Sequence, residues 1–424
     1  MFQGRKVAIL GGQRTPFVKS QTKFLDKTNQ QLLTEVLNSI VKKNKLFDNV
    51  IGDLIAGAVL NHPFDWNLAR EVVLSSKISH DTPGLTIQRA CGTGLEACNL
   101  VGLKIASGQM ESGIAGGSDT NSDIPVIGSR ELTKFLINFN KAKGFQNKLK
   151  VFKDFRFSLF KPLLTKVVEP KTNLSMGDHC ELMVKEWNIS RNDQDELSLA
   201  SHKNASNAYS DGFYSDLLVD IDGLSQDTIT RKDTSIEKLS SLKSAFDKTK
   251  AGTLTAGNST PLTDGAALVL LGSDDWAKEK DLTTQAYFVD SEVAAVDFVK
   301  GAGLLMAPTI AVAKLLQRNN LKLQDFDYYE IHEAFAGQVL CTLKAWESKE
   351  YCEKTLNLNA PLGAIDRSKM NVKGGSLALG HPFAATGARL VATAAKILFE
   401  NGGGKALLSA CTAGGMGVAV IIER

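Results

Sequence analysis

The chain has 424 residues, 43% of them apolar and 22% charged, which is the composition of a globular protein of two or three domains. A formal net charge of +3 is too small to favour a nucleic-acid partner, and no stretch has the roughly 20 apolar residues of a membrane span. Six scattered cysteines lack the spacing of a zinc site or a disulfide scaffold. No secretory signal pattern begins the sequence, so we expect a reduced, cytoplasmic protein, or a mitochondrial matrix protein if the chain is a processed one.

The first third alternates strand and helix patterns. "KVAIL" predicts a strand, "TNQQLLTEVLNSIVKK" a helix and "VIGDLIAGAVL" a second strand. "GTGLEACNLVGLKIASGQ" then predicts a helix that ends near Gly108, and "SGIAGGSD" predicts a strand and a turn. This alternation indicates a layered α/β fold with buried strands.

The C-terminal third repeats that order, because "ATGARLVATAAKILFENGGGKALLSACTAGG" also has a Thr-Gly turn, a helix, a strand and an Ala-Gly-Gly. Two related halves are therefore expected, residues 1–120 plus 252–276 and residues 277–424. Between them the pattern loosens into charged helical pieces, which predicts an inserted loop domain over 121–251 that carries a basic, Phe-rich insertion at 130–167.

Cys91 stands in "QRACGTGLEAC", directly before the predicted helix. A thiol at a helix N-terminus lies near free N–H groups and the positive end of the dipole, which favours the thiolate. A lone cysteine is just as readily a small buried hydrophobic residue, so this stretch alone leaves both interpretations open. Cys98, seven residues further along the same helix face, is expected in the core.

Three more stretches place reactive side chains where a strand meets a turn or helix. His332 follows an apolar strand in "YYEIHEAFAGQVL", and no second histidine completes a helical zinc motif. His381 lies in the glycine-rich "GGSLALGHPFAATGAR", and Cys411 ends a strand in "SACTAGGMG". Each residue alone is more often a cap or a core residue, but sites of α/β proteins form at the C-terminal ends of strands, so together they favour a catalytic site.

These four blocks, "CGTGLEA", "HEAFA", "GGSLALGHPFAATGAR" and "CTAGGMG", resemble the motifs of the thiolase family in the same order over nearly the whole chain. The resemblance implies a five-layer αβαβα fold of two related halves. It also implies an acyltransferase that uses coenzyme A as a substrate and requires no metal or redox cofactor.

Roles for individual residues follow from the resemblance. Cys91 is expected to carry the acyl group, His381 to activate it, and Cys411 to exchange a proton with the α-carbon of acetyl-CoA. His332 belongs to the block that helps His381 form one oxyanion hole, and the backbone N–H groups of Cys91 and Ala413 form the other. The candidate contacts to substrate and coenzyme A are Met176, Ala256 and Thr260.

Two positions depart from the usual family pattern. Position 332 is a histidine instead of an asparagine, which resembles the β-subunits of trifunctional fatty-acid oxidation complexes, and position 413 is an alanine instead of a glycine. The expected activity is that of a 3-ketoacyl-CoA thiolase of β-oxidation, with a biosynthetic acetoacetyl-CoA thiolase as the alternative. A ketoacyl synthase is disfavoured by Cys411, and an inactive acyl-CoA-binding scaffold by the complete set of Cys91, His381 and Cys411.

The segment Arg130–Lys166 holds ten Lys or Arg against two acidic residues, and seven phenylalanines are interleaved with them. One interpretation is a solvated helical excursion packed in part on the body. The other is a surface for an anionic membrane or a partner, which by the resemblance is a hydratase-dehydrogenase α-subunit. The resemblance also implies at least a homodimer.

Overall fold

Strands and helices alternate along the chain, as the sequence pattern predicts. The computed structural model describes residues 4–153, 155–163 and 167–424. The strands within those ranges are β1 (Val7–Arg14), β2 (Val18–Lys19), β3 (Leu54–Gly57), β4 (Gly84–Thr86), β5 (Ser112–Asp119), β6 (Thr263–Ser273), β7 (Ala286–Ala295), β8 (Tyr328–Ile331), β9 (Lys405–Thr412) and β10 (Met416–Glu423).

The helices of the first half and of the segment after it are α1 (Asn29–Lys43), α2 (Leu68–Leu74), α3 (Thr93–Ala106), α4 (Arg130–Lys141), α5 (Phe145–Phe152), α6 (Met176–Glu186), α7 (Arg191–Ser210) and α8 (Ile236–Ser240). Those that follow are α9 (Asp274–Glu279), α10 (Ala307–Asn319), α11 (Ala336–Glu347), α12 (Lys349–Lys354), α13 (Ser376–Leu379) and α14 (Ala385–Glu400).

The strand order shows the duplication that the two Thr-Gly turns predict. The strands run β4-β3-β5-β6-β1-β7-β10-β9-β8, with β2 paired to β6. In the first half, β3 is parallel to β5, and β5–β6 and β6–β1 are antiparallel. In the second half, β8 is parallel to β9, and β9–β10 and β10–β7 are antiparallel in the same way. A short antiparallel pairing of β1 with β7 joins the two half-sheets.

Three hydrophobic clusters separate five layers. One packs α1 and α2 on the outer face of the first half-sheet, and another packs α10 and α11 on the outer face of the second. The third contains α3 and α14 between the two half-sheets. These apolar helix faces are buried because each lies against a sheet, which confirms the predicted αβαβα arrangement.

The two central helices approach each other at the glycines of the repeated Thr-Gly pair. A Cβ added to Gly387 would lie 2.1 Å from the backbone nitrogen of Leu95, and one added to Gly94 would lie 2.7 Å from the carbonyl oxygen of Ala384. Neither backbone atom can move away like a flexible side chain. Glycine is therefore required on both helices for the crossing that brings their N-terminal ends together.

Helices α4 to α8 lie between β5 and β6, in the region where the sequence pattern loosens. Neither α4 nor α5 contains a buried residue. Position 154 and positions 164–166 of the basic segment lie outside the described residues, and the domain boundaries stay a prediction. Within the described part of the chain, no helix combines the length and apolar character that a membrane crossing requires.

Candidate active site

Cys91 lies in the tight loop between β4 and α3, and α3 begins at Thr93 with Gly92 as its N-cap, as predicted. Thr93 fixes this loop: its Oγ1 accepts from the Arg89 N–H at 2.9 Å and donates to the Ala90 carbonyl at 2.7 Å. Ala90 has a φ of 46°, a left-handed conformation that costs a residue with a Cβ about 1 kcal/mol or more. The loop therefore holds Cys91 in a strained but well-bonded position.

The Cys91 thiol is neutral in the free protein, which corrects the expectation that the helix N-terminus favours the thiolate. Burial raises the pKa of this thiol to about 12, although a hydrogen bond from the Ala413 backbone N–H acts to lower it. Desolvation of the charged sulfur thus outweighs the backbone N–H groups of Ala413 and Cys91, which favour the thiolate. Cys98 is fully buried in the core, as predicted.

His381 is held at both its backbone and its ring. Its backbone N–H donates to Thr263 Oγ1 at 2.8 Å, and its ring Nδ1 lies 2.6 Å from Thr386 Oγ1. Burial, with a further contribution from Arg389, lowers the pKa of His381 to about 3. The imidazole is therefore neutral at physiological pH, and since Nδ1 is engaged by Thr386, Nε2 is the nitrogen available to a bound ligand.

His332 follows β8 and is completely buried beside His381, with the two ring centroids 4.1 Å apart. Its backbone N–H donates to the Ser409 carbonyl at 2.8 Å, and its Nδ1 lies 2.9 Å from Ser376 Oγ. Burial lowers the pKa of His332, and the charges of His381 and Arg389 act in the same direction. Its Nε2 has no hydrogen-bond partner among the described residues.

A cavity of about 250 Å³ brings Cys91, His381 and Cys411 together from three distant parts of the sequence. Cys411 lies near the end of β9, and burial, followed by the charge of Cys91, raises its pKa far above the usual value. The remaining wall is largely apolar and includes Met176, Phe246, Thr260, Leu305, Phe335 and Ala413. Two neutral thiols and a neutral imidazole thus share one desolvated space.

A second cavity of about 370 Å³ also reaches Cys91. It shares Met176, Phe383 and Ala413 with the first cavity, and its other walls include Val59, Leu60, Ile124, Val168, Glu169 and Met416. Cys91 therefore stands where two largely apolar spaces meet.

The structure places most of the predicted site residues at these cavities. Met176 borders both cavities and Thr260 borders the first, where the Thr260 hydroxyl donates to the Ser376 carbonyl at 3.2 Å. Ala256 is exposed and borders neither cavity, and His332 lies behind His381 instead of in the wall.

Sequence reasoning missed a buried polar network behind the histidines. Arg389 is 1% exposed, donates from Nη2 to Ser376 Oγ at 2.9 Å and lies 3.4 Å from Glu330. Glu333 accepts from Ser201 Oγ at 2.7 Å and from Asn371 Nδ2 at 2.6 Å. The available signal was Arg389 itself, a charged residue in the apolar helix "ATGARLVATAA".

Comparisons with known proteins agree with this architecture. Residues 7–275 match the thiolase N-terminal domain, and residues 282–424 match the thiolase C-terminal domain. The chain therefore belongs to the thiolase family of acyltransferases.

Among individual proteins, the chain is similar to several that are named as thiolases or acetyltransferases. It is 39% identical to a 3-ketoacyl-CoA thiolase of Shewanella sp. (strain W3-18-1), over 99% of this chain and 97% of that protein. It also resembles the crystal structure of the Bacillus anthracis acetyl-CoA acetyltransferase, with a TM-score of 0.80, 30% identity and full coverage of both chains. The Acat5 thiolase of Ascaris suum in complex with coenzyme A has a TM-score of 0.81 and 25% identity, over 99% of this chain and 100% of its own.

Proposed function

We propose that the protein is a 3-ketoacyl-CoA thiolase, which uses coenzyme A to cleave a 3-ketoacyl-CoA into acetyl-CoA and a shortened acyl-CoA. The observation that carries this proposal is the shared cavity of Cys91, His381 and Cys411. A nucleophile, a base and a second proton-transfer group are the set that reversible carbon–carbon cleavage requires. The names of the Shewanella relatives support the same activity.

In the first step, the neutral His381 takes the Cys91 proton as the sulfur attacks the C3 carbonyl of the substrate. A base is needed because the Cys91 thiol, with a pKa of about 12, is protonated at neutral pH. Negative charge then develops on the C3 oxygen, and we assign the backbone N–H groups of Cys91 and Ala413 to stabilise it. The hydrogen bond from the Ala413 N–H to the Cys91 sulfur supports this assignment.

In the second step, the C2–C3 bond breaks and its electron pair remains on C2. Cys411 protonates that carbon, acetyl-CoA leaves, and an acyl-Cys91 thioester remains. Coenzyme A then gives its thiol proton to the Cys411 thiolate and attacks the acyl carbon. Cys91 leaves as a thiolate and recovers its proton from His381, so every group returns to its starting state.

The two cavities at Cys91 suggest where each part of the substrate binds. We assign the cavity bordered by Phe246, Thr260 and Leu305 to the pantetheine arm, and the cavity bordered by Val59, Leu60 and Ile124 to the acyl chain. The apolar wall of the acyl cavity favours substrates longer than acetoacetyl-CoA. Leu60→Trp should therefore lower kcat/KM for 3-ketohexadecanoyl-CoA by about tenfold or more and leave acetoacetyl-CoA turnover nearly unchanged.

A biosynthetic acetoacetyl-CoA thiolase remains the second candidate, and the similarity to the Bacillus anthracis acetyl-CoA acetyltransferase favours it. Thiolysis rates measured from acetoacetyl-CoA to 3-ketohexadecanoyl-CoA separate the two candidates. A rate that falls steeply beyond four carbons would contradict the degradative assignment. Leu85→Trp, on the edge strand β4 away from both cavities, is the control for Leu60→Trp.

The catalytic proposal is tested by the loss of the 3-ketoacyl-CoA enolate absorbance on addition of coenzyme A. Cys91→Ser should abolish this loss, and Cys98→Ser, which changes the buried thiol of the same helix, should retain catalysis in whatever fraction remains folded. A wild-type rate in Cys91→Ser would refute the assignment.

We further propose that the basic, Phe-rich insertion contacts an anionic membrane surface. Phe145 is 78% exposed and Phe157 86%, and the lysines of α4 and α5 are exposed as well. Exposed aromatic rings beside basic residues favour the interface of anionic bilayers. Phe135, Phe139, Phe152 and Phe155 instead pack on one another, so part of the segment forms a small cluster of its own.

Removal of residues 130–163 should spare thiolysis in solution and abolish co-sedimentation with phosphatidylserine-containing vesicles. Phe145→Ser with Phe157→Ser should weaken vesicle binding without removing the segment. If the segment instead serves a hydratase-dehydrogenase subunit, the deletion will leave vesicle binding unchanged and remove that association. We also expect at least a dimer in solution, which sedimentation velocity measures.

A further inference from the structure

A buried relay of three side chains lies behind the proposed oxyanion site. The Arg389 guanidinium donates from Nη2 to Ser376 Oγ at 2.9 Å, and Ser376 Oγ lies 2.9 Å from His332 Nδ1. All three residues are at most 1% exposed. Solvent therefore does not set the direction of the hydrogen bonds in this relay.

The hydrogen-bonding capacity of the three side chains determines which atom donates in each hydrogen bond of the relay. An arginine can only donate, so Ser376 Oγ is the acceptor in its bond with Arg389. Ser376 has one hydrogen to give, and His332 Nδ1 is the only acceptor that its hydroxyl meets among the described residues. If His332 carried its proton on Nδ1 instead, Ser376 would accept twice and its hydroxyl hydrogen would be buried without a partner, which is costly.

His332 Nδ1 is consequently the acceptor, and the proton of the neutral ring lies on Nε2. That nitrogen is buried and has no partner within the described chain, and its ring adjoins the ring of His381. An unpaired buried N–H is a donor that awaits an acceptor. The oxygen of a thioester bound beside His381, reached through one water, would satisfy it.

We propose that Arg389 and Ser376 are positioning residues that hold His332 as its Nε2–H tautomer, so that the ring presents a donor beside His381. The role of that donor in stabilising the enolate oxygen rests on the proposed thiolase function. The tautomer itself does not, because the relay exists in the free protein. Glu330 lies 3.4 Å from Arg389, and burial raises the pKa of its carboxyl to about 8.

Nitrogen NMR of the free protein labelled with ¹⁵N-histidine tests the tautomer without any substrate. His332→Asn identifies the His332 signals by their absence. The expected wild-type spectrum has an unprotonated Nδ1 and a protonated Nε2, and Ser376→Ala should shift the ring toward a mixture of tautomers. A protonated Nδ1 in the wild type would overturn the proposal whatever the enzyme catalyses.

Thiolysis kinetics test the consequence for catalysis. Ser376→Ala should lower kcat about tenfold with KM little changed, because the donor matters most when charge develops on the oxygen. Ser376→Thr, which keeps the hydroxyl, should recover most of the rate. Ser409→Ala is a matched control, because that buried hydroxyl has no hydrogen-bond partner among the described residues and the hydrogen bond from His332 goes to the Ser409 backbone carbonyl.

A double-mutant cycle separates tautomer control from packing. Asparagine has no tautomers, so in a His332→Asn background the Ser376→Ala change should cost about twofold or less in kcat. An equal loss in both backgrounds would show that Ser376 acts through packing alone and would refute the proposal. If wild-type thiolysis itself is absent but the NMR result is as expected, the proposed function fails and the tautomer assignment stands.

Discussion

The two halves of the core have the same strand arrangement and the same Thr-Gly pair, yet they supply different chemistry. In the first half, Thr93 bonds to the backbone of the loop that holds Cys91. In the second half, Thr386 bonds to the ring of His381. The Thr93 hydroxyl thus fixes the loop of the nucleophile, and the Thr386 hydroxyl orients the base. The two halves keep the same helix crossing but differ in what single side chains do.

The same divergence is present at the ends of the corresponding strands. Cys411 is the seventh residue of β9, and Ser118 is the seventh residue of β5. Ser118 Oγ donates to the Gly265 carbonyl at 3.1 Å and is a structural group, whereas the Cys411 thiol borders the cavity with Cys91.

The largest expected effect is a loss of activity when Cys411 on β9 is replaced, compared with Ser118 on β5. Cys411→Ala should lower kcat for thiolysis by about 10³-fold, because it removes the group that we assign to protonate C2. Acetylation of Cys91 by acetyl-CoA, measured as one equivalent of released coenzyme A, should be slowed but should still occur, because coenzyme A can leave as a thiolate. Ser118→Ala should cost about 1 kcal/mol of unfolding free energy and leave kcat almost unchanged. A matching loss of kcat in both variants would contradict the different roles.

The second-largest expected effect is a loss of stability when the glycines at the crossing of α3 and α14 are replaced. Gly387→Ala should lower the free energy of unfolding by about 3 kcal/mol or more, since its Cβ would overlap the backbone of α3. Gly94→Ala should cost less, because its nearest contact is 2.7 Å instead of 2.1 Å. Urea titration of both variants gives the order, and the control is an alanine at Gly128, where an added Cβ would meet only the end of the Leu132 side chain, at 3.3 Å. A larger loss at Gly94 would contradict this account of the crossing.

The two threonines should separate activity from stability. Thr386→Val should lower kcat about tenfold, because His381 Nδ1 loses its partner and the ring loses its fixed orientation. Thr93→Val removes two hydrogen bonds to the backbone and should cost about 1–2 kcal/mol of unfolding free energy. Steady-state thiolysis and thermal melts of the two variants check this contrast. If Thr386→Val loses only stability, its bond to the ring has no catalytic role.

The smallest expected effect concerns how the rate of Cys91 alkylation in the free protein depends on pH. With a Cys91 pKa of about 12 and a His381 pKa of about 3, both groups stay neutral from pH 5 to 9. Alkylation of Cys91 by iodoacetamide should therefore rise steadily with pH up to 9, without a plateau and without an inflection near pH 6. The Cys91→Ala variant gives the background rate. A plateau below pH 8 would indicate a thiolate–imidazolium pair. It would support the expectation from the sequence that the helix N-terminus stabilises the thiolate.

Local sequence patterns predicted the parts of the fold that depend on periodicity. The beginning of α3 at Thr93 and the duplicated strand-helix order were predictable because apolar spacing, glycine turns and self-similarity are local signals. The residue types at the site were predictable for the same reason, because each follows a strand or precedes a helix.

Desolvation and long-range contacts were not predictable. Burial by the folded chain raises the pKa of Cys91, and the Ala413 N–H that acts to lower it lies more than 300 positions away in the sequence. Arg389 would be placed on the solvent side of a helix by its charge, but the packing of α14 between two half-sheets buries it. Ala256 was placed by a turn motif alone, and its exposure follows from how the turn packs.

The backbone conformation of Ala90 affects both the position of the nucleophile and the stability of the protein, so laboratory evolution would act on this residue. Its left-handed backbone stores strain directly before Cys91, and a glycine there would release that strain. Selection for thermostability alone would therefore favour Ala90→Gly, while selection for turnover would oppose it, because a glycine would let the sulfur sample more positions. A single substitution at the residue before the nucleophile would thus raise thermostability and lower the precision with which the sulfur is positioned.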